Sequence, residues 1–331
     1  MMKTRNNWKK QHAMLLAGGC TLLGLLPMGA LAADEHRFLD DRQRQEANIC
    51  GKTSWQLLKA CQLEARDEAT VESAVCLNIS DHPASEACMQ AARAARTQAF
   101  GRCVEVQRAR DGVCAKLGTG AYDPVIDPAN FVAGINNRYT PFPPGAFRVY
   151  EKKTPEGLER IRVEVLPETR VIMGVTVTTL HDTVTLNGVL IEDTTDWLAQ
   201  DRQGNVWYMS EIVQNYEDGL LANLNGSFEA GKNGAKPGYW SKAFPQVGDF
   251  YRQEWSPSNA EDVAEVLSLD ARDTTVPFSQ NGTGPVLKTR DTTPLSPGVV
   301  EFKYYVPGIG FALEVKPATG ERLELVDYGP R

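Results

Sequence analysis

Carboxylates are the residues of this chain best placed to do chemistry. Glu192, Asp193, Asp196 and Asp201 crowd one stretch, and Glu211 follows shortly after. If residues 196–201 and 206–214 form two strands joined by a turn at Arg202-Gln203-Gly204-Asn205, period two places Asp196 on one face with Leu198 and Gln200. The register across such a turn brings Glu211 beside Asp196. Asp196, Asp201 and Glu211 are then candidate ligands of Ca²⁺ or another divalent cation, which prefers oxygen donors. A carboxyl pair could instead divide acid and base roles, as in glycoside hydrolysis. The plain alternative is that a chain with 42 acidic residues carries acidic strand edges, which discourage edge pairing.

Aromatic side chains interleave with these acids. Trp207, Tyr208, Tyr251 and Tyr304, with Glu229 and Glu254, are the candidate ligand-binding set, since aromatic concave surfaces with a few charges capture small ligands. The run from Asn225 to Gly238 is dense in glycine and reads as a binding loop or a wide turn. Other catalytic signatures are absent: there is no G-x-S-x-G, H-E-x-x-H or phosphate-binding loop. A serine–histidine–acid site would have to use His181, because His36 lies near the N-terminus and His82 in a turn. A lone histidine at a strand end is ordinarily a surface residue.

The cysteines do not supply a nucleophile either. Cys50, Cys61, Cys76, Cys88, Cys103 and Cys114 are spaced 11, 15, 12, 15 and 11 residues apart, a palindrome. Six cysteines allow fifteen pairings, and the symmetry selects one. If two helices fold back near position 82, residues whose numbers sum to 164 face each other. Steps of 11 and 15 return a side chain to nearly the same helix face. The expected bonds are Cys50–Cys114, Cys61–Cys103 and Cys76–Cys88. His82-Pro83 sits at the fold-back, with Ser85 as the expected cap of the second helix. No C-x-x-C pair suggests metal or redox work.

A disulfide framework implies an oxidising compartment, and the N-terminus agrees. Lys3, Arg5, Lys9 and Lys10 precede an apolar stretch from Ala13 to Leu31, and Ala30-Leu31-Ala32 offers a cleavage site. Residues 1–32 are read as a signal peptide, with the mature chain starting at Ala33. The glycines and Pro27 of the apolar stretch make it a poor membrane anchor. Ala17-Gly18-Gly19-Cys20 lacks the leucine of a lipoprotein signal. Loss of those four basic residues moves the net charge from −7 to −11, which argues against nucleic acid and anionic membranes as partners. No integral membrane segment is expected after cleavage, and the location is periplasmic or secreted.

These elements define the expected architecture: an α+β chain with a disulfide-stapled antiparallel helical hairpin over 33–122. A proline-rich linker over 123–147, draped along the surface, leads to an antiparallel β domain over 148–331. Val171, Met173, Val175 and Val177 alternate with polar or small residues as one half-buried strand. Asn187-Gly188 is a type I′ hairpin signal. Strands are expected again at 300–306, 311–315 and 323–326, while Glu261 to Leu267 reads equally as helix or strand. Consecutive hairpins make a meander, curved into a clam or half-barrel.

Several segments resemble an uncharacterised family of exported bacterial proteins. They are Asp196-Trp197-Leu198-Ala199-Gln200-Asp201, Gly204-Asn205-Val206-Trp207-Tyr208, Gly226-Ser227-Phe228-Glu229-Ala230-Gly231, Gly234-Ala235-Lys236-Pro237-Gly238, Tyr251-Arg252-Gln253-Glu254 and Lys303-Tyr304-Tyr305-Val306-Pro307-Gly308-Ile309-Gly310. The resemblance implies a cysteine-rich helical prelude, a curved antiparallel sheet and export. It implies no activity. The functional expectation is a binding protein that holds a small ligand or partner on an aromatic and acidic sheet face. The alternatives are a carboxylate hydrolase, with or without a divalent metal, and an interaction module docking through the hairpin.

Overall fold

The computed structural model describes residues 48–272 and 275–330. The signal peptide, the Ala33 start and His36 lie outside the described residues. Two helices come first: α1 (Ile49–Leu77) and α2 (His82–Leu117). They run antiparallel and are bridged by Cys50–Cys114, Cys61–Cys103 and Cys76–Cys88, with Cα separations of 5.8, 5.8 and 5.4 Å. This is the pairing that the palindrome selects. The cap of α2 is Asp81 rather than Ser85. Asp81 Oδ2 accepts the Ala84 N–H at 2.9 Å, and Pro83 fits the first turn, where its missing N–H costs nothing. Ser85 lies one turn inside and donates its hydroxyl to the Cys76 carbonyl.

The hairpin has almost no apolar interior of its own. Its buried residues are chiefly the cystines, Ala65, Ala92 and Val113, and no helix among the described residues is long and apolar enough to cross a membrane. Leu63, Val71, Val75 and Leu77 of α1 stay exposed, Leu77 by 74%. The end of α2 is fixed to the sheet by Arg110, whose guanidinium bonds both oxygens of Glu261 (Nη2–Oε1 2.8 Å, Nε–Oε2 2.9 Å). Glu261 is 1% exposed. Arg110→Ala would strand that carboxylate and is expected to cost about 3–5 kcal/mol in urea denaturation. Arg110→Met combined with Glu261→Leu should recover most of the loss. If Arg110→Ala were neutral, this pair would not anchor the hairpin.

Among the described residues sixteen strands follow, all paired antiparallel: β1 (Phe131–Val132), β2 (Ala146–Thr154), β3 (Gly157–Ile172), β4 (Val175–Leu186), β5 (Val189–Asp201), β6 (Val206–Glu217), β7 (Leu220–Asn223), β8 (Phe228–Glu229), β9 (Lys236–Ser241), β10 (Phe250–Arg252), β11 (Glu254–Trp255), β12 (Val263–Ala271), β13 (Val286–Thr292), β14 (Glu301–Val306), β15 (Gly310–Val315) and β16 (Arg322–Pro330). The order is β10-β12-β13-β14-β15-β16-β2-β3-β4-β5-β6-β9-β11, with β1 on β5 and with β7 and β8 on β6. Only Gln253 separates β10 from β11. The first pairs with β12 and the second with β9, so one short segment joins the two edges and the sheet is nearly closed. Hairpin and sheet fall in the same compact unit of the chain.

Two expectations change at the level of single turns. The supposed strand through Val171–Thr178 is a hairpin: Met173 and Gly174 have φ of 50° and 79° and form the turn between β3 and β4. Val171 and Val177 are therefore on different strands. The Asn187-Gly188 turn is as expected, with both residues at positive φ. The stretch left open at 261–267 enters β12, where its β-branched Val263 and Val266 pack on β13.

The sheet has an inner face that is apolar and packed over part of its area, and a partly covered outer one. Inside, Val165, Leu180, Leu198, Tyr208 and Phe228 pack with Ile135 and Phe142. Outside, Ile172, Val177, Trp197, Trp207 and Met209 pack under Ile126 and Phe131. Only the first half of the 123–147 segment is draped over the surface. Its second half is buried at Ile135, Asn137, Tyr139 and Phe142. Asn137 Nδ2 donates to the Gly204 carbonyl (2.8 Å), and Gly308 N–H donates to the Arg138 carbonyl (2.8 Å). These bonds tie the segment across one end of the sheet, from the β5–β6 turn to the β14–β15 turn.

Candidate functional site

The acidic hairpin is β5 and β6, and its register places Asp196 directly opposite Glu211. One irregularity decides what else joins them. Trp197 pairs with Ser210 but Leu198 with Tyr208, so Met209 is an extra residue on β6. The bulge breaks the period of two. Tyr208 and Glu211, three residues apart, thereby face inward together, while Trp207 and Met209 face outward.

The Tyr208 phenol oxygen lies 2.5 Å from Asp196 Oδ1 and 2.9 Å from Glu211 Oε2. A phenol has one hydrogen to donate. Both contacts are satisfied only if one carboxyl is protonated and donates to the phenol oxygen. The pair therefore shares one proton between its two carboxyls. Burial and the neighbouring Asp196 push Glu211 well above the usual carboxylate range, against the Tyr208 hydrogen bond. Burial also lifts Asp196, 6% exposed, to about 6, with the Tyr208 bond opposing and Glu192 adding repulsion. Tyr208 itself is buried beside these acids and stays neutral, since burial and their charge push its pKa well above 10.

More acids share this inner wall. Glu254, 6% exposed, is pushed well up by burial and then by Glu211, Asp262 and Asp196. Asp262, at the start of β12, is raised by burial, with Lys303 opposing. On β4, Asp182 sits opposite Thr194, two residues from Asp196. Burial and then Asp196, Glu192 and Asp193 raise it strongly. Its Oδ1 is buried and has no hydrogen-bond partner. Glu192 is raised by burial, although the Thr194 hydroxyl donates to it at 3.2 Å. Among the described residues no ion pair reaches Asp182, Asp196, Glu211 or Glu254.

The adjoining wall shows the contrasting arrangement. Lys303 Nζ lies 3.3 Å from Asp291, 3.5 Å from Glu301 and 4.0 Å from Glu314. Burial disfavours its charge, yet these three carboxylates hold it protonated well above the usual lysine value.

The proposed site residues separate accordingly. Asp196, Tyr208, Glu211 and Glu254 come together on the inner face. Asp201 does not join them: at the β5–β6 turn it accepts from Asn205 N–H, Asn205 Nδ2 and Trp207 Nε1, each at 2.9 Å. Trp207 packs outside, 4.2 Å from the Tyr239 ring. Glu229 pairs with Arg170 and Lys232. Burial would raise its pKa, but those hydrogen bonds and charges hold it below the ordinary value. Tyr251 packs inside with Tyr139 and Tyr305, whereas Tyr304 packs with Val276, Val306 and Leu313. His181 contacts Asp193 at 2.9 Å, with both side chains partly exposed. Among the described residues no group of three His, Cys, Asp or Glu is placed to hold a metal ion.

Asp182, Asp262 and Lys303 escape a sequence reading. Asp182 follows His181 in an ordinary alternating strand, and Asp262 and Lys303 reach the wall only through the closure of the sheet.

No family model matches the chain, and no curated protein matches it. Among solved structures, a protein described as a lipoprotein from Parabacteroides distasonis ATCC 8503 aligns with 58% of this chain and 99% of its own, at 10% identity and a TM-score of 0.29. A likeness of that degree carries no argument about fold or function.

Proposed function

We propose that this is an exported binding protein whose inner sheet face holds a small ligand or partner group. The observation that carries the reading is the inner wall of carboxyls, with Asp196 and Glu254 buried and Asp182 and Glu211 half-buried, which have no cation to pair with among the described residues. Uncompensated buried acids weaken a fold, and their placement on a concave face is accounted for if something else occupies that face. Export is supported by the N-terminal signal pattern and by the three cystines. The resemblance to exported bacterial proteins of unassigned activity belongs to the same proposal, as does a periplasmic or secreted location.

Thermal unfolding of the mature chain with one compound from each chemical class tests the reading: spermidine, a neutral trisaccharide and a medium-chain fatty acid. Binding to the native state raises the melting temperature with ligand concentration. At least one class should do so, and the shift should vanish in Leu198→Trp, which fills the inner face. No shift with any class would overturn the reading.

The second reading, a carboxylate hydrolase, rests on the Asp196–Tyr208–Glu211 contact. The two carboxyl oxygens lie 2.5 and 2.9 Å from one phenol oxygen, a closeness compatible with the ~5–5.5 Å carboxyl separation of retaining glycosidases. Release of a chromophore from aryl glycosides, lost in Glu211→Gln, would favour it over simple binding.

A further inference from the structure

We propose that the inner wall binds an organic cation bearing two or more primary amino groups, through Asp182, Asp196, Glu211 and Glu254. This rests on the inner-face reading and names the chemistry of its ligand.

The chain itself shows what its buried acids require. Glu261 has Arg110, Asp291 has Lys303, and Asp201 has three N–H donors. The acids of the β4–β6 and β11 wall have no cation among the described residues: Asp196 and Glu211 share the single Tyr208 hydroxyl, Glu254 has a backbone hydrogen bond from Asp262, and at Asp182 the deficit is visible as a single atom. Its Oδ1 is buried, unbonded, and surrounded by the acidic Asp196, Glu192 and Asp193. A carboxylate oxygen in that position needs a donor brought from outside, preferably a positive one.

The spacing of the acids selects an extended cation over a metal ion. Asp196 and Glu211 are directly opposite, with Cβ atoms about 5 Å apart in such pairs. Asp182 is diagonal to Asp196, at about 7–8 Å, and Glu254 arrives from the strand that closes the sheet. The carboxyls are strung along a wall and do not converge on one point, in keeping with the lack of any three-ligand cluster among the described residues. Leu180 opposite Asp196 and Val213 opposite Thr194 lie buried between them. They offer apolar contact for the methylenes that separate one amine from the next. Each ammonium can donate three hydrogen bonds, so one can serve Asp182 Oδ1 while a second serves the Asp196–Glu211 pair.

The chemistry is the same whether the amines belong to a free polyamine or to lysine side chains of a peptide. Isothermal titration calorimetry of the mature protein at pH 8 with spermidine, and separately with trilysine amide, distinguishes these sources. Saturable binding of either supports the proposal, and the tighter ligand identifies the source. Asp182→Asn and, independently, Glu254→Gln should each weaken binding at least tenfold, while Glu86→Gln on the exposed hairpin leaves it unchanged. Near-ultraviolet circular dichroism identifies which variants fold, and either inner-wall variant suffices. The proposal is overturned if neither amine binds saturably, or if a folded inner-wall variant binds as well as the wild type. A trisaccharide or fatty acid that stabilises the protein while both amines fail would remove the cation and leave the inner-face reading standing. Failure of every class removes both.

Discussion

Replacing Asp196 by Asn together with Glu211 by Gln is expected to raise the melting temperature of the ligand-free protein at pH 8, and to flatten a pH dependence that runs opposite to ordinary acid denaturation. Both carboxyls have folded-state pKa values above their unfolded values, through burial first, joined by Asp196 for Glu211 and by Glu192, against the Tyr208 bond, for Asp196. Between the unfolded and folded values the native state binds more protons than the unfolded chain. Stability therefore falls as pH rises through that window. For Asp196 the window runs from the ordinary 3.8 to about 6. A shift of about 2 units corresponds to about 3 kcal/mol, fully present below the unfolded pKa and lost above the folded one. Asp182 and Glu254 shift the same way and extend the window upward. Glu229, Glu265 and Glu301 shift downward, so their contribution is lost only as pH falls below the ordinary glutamate value. The wild type should consequently melt several degrees higher at pH 5 than at pH 8. The double amide should narrow the gap by raising the pH 8 value. Calorimetric scans at the two pH values check this. A wild type more stable at pH 8, unchanged by the double replacement, would mean that these acids are solvated.

The same energetics link stability to ligand capture. A cation bound at the wall would stabilise the ionised carboxyls, so it should raise stability most where the empty protein is weakest, above neutral pH. A protein built only for stability would place apolar groups at these positions, as Leu198 and Val206 are placed further along the same face. If the wall binds a cation as proposed, stability is set against binding at Asp182, Asp196, Glu211 and Glu254.

Much of the fold is legible from residue spacing, because its strongest constraints are local or symmetric. The palindrome of cysteines identifies the helical pairing, since only one nested pattern brings every pair face to face. The Asn187-Gly188 turn fixes β4 against β5, and the turn at 202–205 brings Asp196 to Glu211. A clam or half-barrel is expected from the meander, but the residues that close it are not legible. Closure depends on residues 250–255 pairing with β12 through one half and β9 through the other, and a two-residue strand such as Glu254–Trp255 has no periodicity to read. The burial of Ile135–Phe142 is equally hidden, because a proline-rich segment looks the same whether it lies on a surface or plugs the end of a sheet.

The candidate site divides along the same line. Asp196 and Glu211 are found by register alone. Tyr208 joins them, and Trp207 leaves, because of a single extra residue at Met209. A bulge leaves no mark in the hydrophobic pattern, and one residue of slip reverses every facing. Asp201 carries the same charge as Asp196 and lies in the same strand. It lies five positions on, an odd step that turns it to the other face, and the Asn205 and Trp207 donors occupy it fully.

Reducing the three cystines is expected to unfold the hairpin while leaving the sheet intact. The helices, 29 and 36 residues long, bury little besides the cystines and small side chains. Removing one bridge should cost about 2–4 kcal/mol. The bridges are nested, which decides their ranking. Cys50–Cys114 spans 64 residues, but with Cys61–Cys103 formed it closes only the 11-residue arms on either side. Its loss alone should thus resemble the loss of a short loop, and the three costs should be similar in spite of separations of 64, 42 and 12. Removing all three leaves long helices with no core, held to the sheet mainly by Arg110, Lys116 and Tyr122. The ellipticity at 222 nm should fall sharply on reduction, while the near-ultraviolet signal of Trp197 and Trp207, packed on the outer sheet face, persists. Retention of the helical signal after full reduction would show that alanine-lined packing suffices without the bridges. If the signal collapses as expected, the hairpin can form only where thiols are oxidised, and the fold itself then requires an oxidising compartment, which the proposed export would supply.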